Sequence, residues 1–256
     1  MKTAWGDWLE VEPRRFIGAH VYMRGVHELP VCEVLWRLAE AGECAVDVGA
    51  NTGVMTSLLS RRVGEQGRVM AFEAHPGVFE WLQENVARWR RGSVVVFNQA
   101  ISSKRGVVRM HEGDRFAANE GTARVEQAEA SGRWFKAESV TLDEVIPANG
   151  CGVIKIDVEG HEFEVLSGAK TSLAAHRLRD VVFESTWSFP GPAHELMRQY
   201  GYHVFAIEAS LHGPRLAAVS RRSQLDNRQA DYLATVEPRR AEELVRRSGW
   251  RALAAD

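Results

Sequence analysis

The stretch that most constrains the fold is Val46-Asp47-Val48-Gly49-Ala50-Asn51-Thr52-Gly53. A short apolar run, Cys44 to Val48, carries one carboxylate and breaks at a glycine, and an apolar helical pattern (Val54, Leu58, Leu59) starts directly after the second glycine. This reads as strand, tight turn and helix, the opening unit of an alternating α/β sheet. Glycines at 49 and 53 lack a Cβ and allow a close backbone approach to a ligand or to the following helix. The N–H groups that open that helix suit an anionic group.

A second apolar run, Arg68 to Phe72, ends in Glu73, where a carboxylate can accept hydrogen bonds from the two hydroxyls of a ribose. Turn and acid together indicate a nucleoside site. Asn51 stands where the dinucleotide fingerprint needs its middle glycine, and Asp47 before the turn would repel a diphosphate but attract an ammonium. S-adenosylmethionine, with a ribose, an adenine, an amino group and a sulfonium, fits that pattern better than a nicotinamide dinucleotide.

The rest of the chain continues the alternation. Helical spacing at Val31, Val34, Leu35 and Leu38 predicts a helix leading into the first strand, and further helices are expected from about Gly53 to Arg62 and Pro76 to Trp89. Strands are expected at Val94 to Phe97, Val153 to Val158 and Val181 to Phe183, then at Tyr202 to Ile207 and Tyr232 to Val236. A helix from about His161 to Leu173 should follow the strand at 153–158, and two more lie near 195–200 and 241–247. A doubly wound, mostly parallel sheet follows. Between about 101 and 140 the alternation stops, and Val107 to His111 with Trp134 to Val140 form an insertion of paired strands and loop. Residues 1–42 read as an N-terminal segment and leading helix that pack on a single domain spanning 43–256. The aromatic residues of 1–30 show no period, so packing, covering a ligand and meeting a partner all stay open.

Composition narrows the function classes. With Lys+Arg 32 against Asp+Glu 34 there is no global basic field, so nucleic acid is not an expected partner. No apolar run is long enough to span a bilayer and the first ten residues lack a signal-peptide core, so a cytoplasmic protein with no membrane partner is expected. The three cysteines, Cys32, Cys44 and Cys151, have no CxxC spacing and read as reduced packing residues.

The second constellation is Lys155-Ile156-Asp157-Val158-Glu159-Gly160-His161-Glu162. Alternation puts Lys155, Asp157 and Glu159 in one direction, a costly row inside a parallel sheet unless it is paired or sits at the carboxyl edge where ligands bind. A doubly wound order would bring Asp157 beside Asp47. His161 opens the next helix, whose dipole favours a neutral imidazole able to take a proton, while Glu159 would favour the cation. A helix-start histidine bonded to a loop is equally compatible.

The motifs Val46 to Gly53, Phe72-Glu73-Ala74-His75-Pro76, Asn98 to Ser102, Val140-Thr141-Leu142-Asp143 and Ile154 to Glu162, followed by Val165 to Ala169, are together similar to the FkbM family of S-adenosylmethionine-dependent methyltransferases. The series covers about residues 44–186, with weaker likeness at Gly201-Tyr202 and Asp231-Tyr232-Leu233. The resemblance implies a Rossmann-like class I methyltransferase sheet of seven strands with the last one antiparallel. It implies cofactor contacts from Asp47, Gly49, Asn51, Gly53, Glu73 with Ala74, the Gln99–Ala100 region and Asp157, and methylation of a hydroxyl on a sugar, polyketide or other natural product. His161 is then the first candidate base, with Asp157 and Glu159 next. A Mg²⁺ or Ca²⁺ ion at Asp47, Asp157, Glu159 and Glu184 is the competing arrangement, and it is not the favoured one. Trp187 and Phe189 wall an acceptor pocket or pack over the sheet edge. A nicotinamide-dependent oxidoreductase or epimerase and a non-catalytic nucleoside-binding scaffold are the rival classes.

Overall fold

The computed structural model describes residues 1–89, 91–112, 124–125, 133–185, 190–219 and 230–253. Its frame is one sheet in which β1 (Cys44–Val48), β2 (Arg68–Phe72), β3 (Val94–Phe97), β8 (Cys151–Ile156) and β9 (Leu178–Ser185) run parallel in the order β9-β8-β1-β2-β3. Beyond β9 lies β12 (Ala230–Thr235), antiparallel to it, and then β10 (His203–Ser210), antiparallel to β12. These seven strands are the expected sheet. An eighth, β11 (Gly213–Ala218), folds back on β10 through Leu211 and His212 and extends the edge. That extension was not expected, because 210–230 carries no alternating apolar pattern. Gly213 makes it sterically feasible: its φ is +129°, and an added Cβ would stand 2.9 Å from the Gly249 carbonyl oxygen.

Both faces are covered, which accounts for the buried runs in the central strands. Val46, Val48, Met70, Phe72, Ile154, Ile156 and Phe183 face a core completed by Leu142, Val165, Leu166, Leu173 and Met197. Those partners come from α5 (Leu142–Val145), α6 (Glu162–Ser167), α7 (Lys170–Ala174) and α8 (Pro192–Gln199). On the other face Ala45, Val69, Val153, Val182 and Leu233 meet α2 (Leu29–Leu38), α3 (Val54–Val63) and α9 (Pro238–Val245). The helix from Pro76 to Trp89, α4, has the bounds its apolar stripe predicts. The single helix expected over 161–173 is instead two, broken at Gly168-Ala169. Gly168 lies against the Ser102 carbonyl, where an added Cβ would come within 2.2 Å.

The first 28 residues are part of this architecture. Trp5 is fully buried and its indole Nε1 donates to Ser57 Oγ at 2.9 Å. Asp7 accepts two bonds from the Arg91 guanidinium, at 2.8 and 2.5 Å. The fully buried Asn85 accepts from Glu10 N and donates to the carbonyls of Glu10 and Thr52, which ties the segment to α4 and to the turn after β1. A short helix absent from the sequence reading, α1 (Phe16–Arg24), ends at Gly25 in the left-handed conformation with φ 69°.

The insertion forms a separate four-stranded sheet. It contains β4 (Ala100–Ile101), β5 (Gly106–His111), β6 (Arg124–Val125) and β7 (Trp134–Val140), in the order β4-β7-β5-β6. Residues 113–123 and 126–132, which hold most of the loop expected there, lie outside the described residues. The cysteines are free thiols. No helix among the described residues is long and apolar enough to cross a membrane.

Candidate active site

The carboxyl ends of β1, β2, β8 and β9 converge on a cavity of about 340 Å³. Of the residues singled out from the sequence, Gly49, Asn51, Glu73, Ala74, Gln99, Ala100, Asp157, Glu159 and His161 line it, as does Glu184. Asp47 and Gly53 do not. Asp47 points under the turn, where its Oδ2 accepts from the Thr56 hydroxyl at 2.5 Å. Burial pushes its carboxyl up to about 6, against the opposing pull of Thr56 and Lys155. Gly53, with φ 95°, is needed for packing: an added Cβ would meet Leu82 Cδ1 at 2.9 Å and Trp89 at 3.1 Å. Gly49 is likewise required by the protein itself, since a Cβ there would stand 1.8 Å from the Asp157 carbonyl oxygen.

The N–H groups of the turn itself are bonded within the protein: Asn51 N donates to Glu73 Oε2 at 2.9 Å, Thr52 N to Asn51 Oδ1 at 2.7 Å, and Gly53 N to the Ala50 carbonyl at 2.9 Å. The turn therefore holds Glu73 in place. His75 N donates to the other oxygen, Oε1, at 2.8 Å. Asn98 Nδ2 donates to the Glu73 and Ala74 carbonyls, pinning the loop that follows β2. Burial raises the Glu73 carboxyl to about 7 despite backbone hydrogen bonds from His75, Asn51 and Ala74. A carboxylate so fixed keeps lone-pair capacity for a further donor, such as a ribose hydroxyl.

Past β8 the row of charges is paired. Lys155 is 1% exposed, and its Nζ lies 3.2 Å from Asp157 Oδ2 and 3.9 Å from Glu28 Oε2. Burial works against its charge, but Asp157, Glu28, Asp231 and Glu184 outweigh it and hold the ammonium protonated. Asp157 is the converse: burial would raise its carboxyl, yet Lys155 and a hydrogen bond with Glu184 keep it below the usual range. An acid so held is a poor proton acceptor and a good partner for a cation.

His161 begins α6, and its Nε2 sits 2.9 Å from Ser102 Oγ. Burial lowers its pKa, opposed by Glu164, whose Oε2 is 3.7 Å from Nδ1. Burial thus favours the neutral imidazole, and the opposing carboxylate is Glu164 one turn on rather than Glu159. Glu162, also buried, accepts from Gly160 N at 3.0 Å and shapes the loop between β8 and α6. Among the described residues no group of three or more His, Cys, Asp or Glu side chains is arranged to hold a metal ion. Trp187 and Phe189 lie outside the described residues.

The far wall comes from two segments whose role the sequence leaves open. Phe16, Ile17, His27 and Glu28 line the cavity from the N-terminal segment, while Met110 and Val125 line it from the insertion. Ser102 carried a signal, since it ends the Asn98 to Ser102 motif. Residues 16–28 carried none, because a wall built by irregular chain has no period.

The chain is similar to several known proteins. A curated relative, the hexuronic acid methyltransferase AglP of Haloferax volcanii, is 34% identical over 149 residues, 57% of this chain. The match spans 58% of that relative's own length. Among solved structures, a SAM-dependent O-methyltransferase from Thermotoga maritima aligns with TM-score 0.49 and 12% identity over 86% of this chain and 70% of that one. The precorrin-6y C5,15-methyltransferase of Geobacter metallireducens aligns with TM-score 0.45 and 14% identity over 80% and 86% of the two chains. The model of the methyltransferase FkbM domain matches residues 47–204, well over half of the sequence, from the strand that opens the nucleoside turn to the start of β10. This chain belongs to the FkbM methyltransferase family.

Proposed function

We propose that the protein is an S-adenosylmethionine-dependent O-methyltransferase acting on a hydroxyl of a small metabolite, with a sugar as the favoured acceptor type. The observation that carries this reading is the cavity at the carboxyl edge, which Glu73, Asp157 and His161 line together, with Ser102 bonded to His161 from behind the wall. The name of the Haloferax relative supports a sugar-type acceptor.

When bound, S-adenosylmethionine supplies a methyl group already activated on a sulfonium. Glu73 accepts the ribose hydroxyls, and Asp157, kept ionised by Lys155, attracts the positive end of the cofactor. His161 is neutral, partly buried and available to take the acceptor's proton, while Ser102 fixes the imidazole ring. Holding the reactants in line is worth about 7–11 kcal/mol, against roughly 10² to 10⁴ in rate from a positioned base. The protein's main work is therefore alignment, and His161 is secondary.

Two measurements test the reading. Titration calorimetry should give heat with S-adenosylmethionine and none with NAD. Incubation with labelled S-adenosylmethionine and a series of sugars should yield a product heavier by one methyl group. Binding of NAD alone, or intact binding of the cofactor without transfer to any hydroxyl compound of a cell extract, would remove it.

A further inference from the structure

We infer that Glu28, in a segment outside the family match, binds the ammonium group of the cofactor's amino-acid tail. This deepens the function proposed above and rests on it. The sheet order sets the direction of a bound cofactor. Neighbouring strands are about 4.8 Å apart, so a molecule whose ribose lies on Glu73 at the end of β2 extends along the edge. One side is β3, where Gln99, Ala100 and Met110 offer a wall suited to a base. The other side leads past Gly49 of the β1 turn to Asp157 and Glu28. The tail must occupy that second side.

Charge there favours an amine. Glu28, Asp157, Asp231 and Glu184 all act on the buried cation Lys155, and Asp157 lies nearer to it than Glu28 does, at 3.2 against 3.9 Å. Lys155 is thus largely matched by Asp157, and Glu28, raised to about 7 mainly by burial, is an acid at the cavity wall that a bound ammonium would hold ionised.

Local structure shows that Glu28 is not placed there to start a helix. It stands at the N-cap of α2, yet its side chain makes no capping bond, and its backbone is left-handed at φ 49°, ψ 57°. A residue with a Cβ adopts that conformation at a cost, and such outliers gather where a side chain must be aimed at a ligand. The carboxylate is turned away from the helix it precedes and into the cavity, 25% exposed.

The test uses two probes and the full-length chain. S-adenosylhomocysteine carries the amino-acid tail; 5′-methylthioadenosine keeps the nucleoside and sulfur but lacks it. Glu28→Gln should weaken S-adenosylhomocysteine by about 10- to 100-fold, the range for losing one charged hydrogen bond, and leave 5′-methylthioadenosine within about twofold of wild type. An unchanged or tighter S-adenosylhomocysteine, or equal loss with both probes, overturns the inference. The 5′-methylthioadenosine arm also reports whether the variant is folded. A wild type that binds 5′-methylthioadenosine but not S-adenosylhomocysteine overturns the tail assignment and leaves the nucleoside site standing. A wild type that binds neither removes the proposed function itself.

Discussion

Glu73 makes the proposed cofactor site dependent on pH in a way that one substitution isolates. Its carboxyl is raised from 4.5 to about 7, mainly by burial, and a ribose diol needs the ionised form as acceptor. Roughly 90% of the protein has Glu73 ionised at pH 8, but only about 3% at pH 5.5, so the Glu73 contribution to wild-type affinity for S-adenosylhomocysteine should fall by about 30-fold between them. Glu73→Gln removes the charge at every pH. Losing one charge-assisted bond costs about 1.5–3 kcal/mol, or roughly 10- to 100-fold in affinity near pH 8. At pH 5.5 wild type is itself protonated and the gap should close to a few-fold. The Gln amide must face the N–H of either Asn51 or His75, so the variant should melt lower at every pH, a constant offset that drops out of the ratio. Asp47 and Glu28, raised to about 6 and about 7, titrate in the same window in both proteins and cancel likewise. Calorimetry of both proteins from pH 5.5 to 8 decides the matter. A ratio of affinities that stays constant across that range refutes the argument.

Three other outcomes follow from the packing. Gly49→Ala, which drives a Cβ into the Asp157 carbonyl 1.8 Å away at φ +80°, should abolish S-adenosylhomocysteine binding, whereas Gly42→Ala, at φ +85° with nothing within 4 Å, should keep it; calorimetry compares the two. Arg37→Met should cost about 3–5 kcal/mol in urea unfolding, because it leaves the fully buried Glu33 charge unpaired and frees the carbonyls of Val245 and Gly249. A second change, Glu33→Gln, should recover part of that loss. Burial lowers the His194 pKa from 6.5 to about 4, so the native state binds fewer protons than the unfolded one as pH falls between those values. Its contribution, up to about 3 kcal/mol, is therefore present above pH 6.5 and lost toward pH 4. His194→Asn, which keeps an acceptor for Gly191 N, should flatten that acid limb in thermal melts.

The parts legible in the sequence are those where one local pattern has one physical solution. A strand that breaks at Gly49 and resumes as a helix at Val54 leaves few alternatives, and the stripe on α4 reproduces its observed bounds. Glu73, Asp157 and His161 were found because they stand at strand ends, and strand ends meet at one edge. The break in the expected 161–173 helix was hidden because Gly168 is needed for contact with Ser102, far away in sequence. The orientation of the turn was hidden for a related reason: spacing marks it but does not say which residues line the cavity and which, like Asp47 and Gly53, pack beneath it. The β11 strand and the wall from 16–28 rest on tertiary contacts with no periodic trace.

The face of the sheet beneath α2 has a bearing on how this protein can be handled. Residues 47–204 are a unit of descent, but not a unit of cooperative folding. A fragment cut to those limits would lose Trp5, Leu9, Val31, Leu35 and Leu38, all at most 1% exposed, together with Leu233, Ala241 and Val245 from beyond the far boundary. Ala45 would go with the cut, Val153 and Val182 would lose the cover of α2, and the isolated fragment should aggregate rather than report on catalysis.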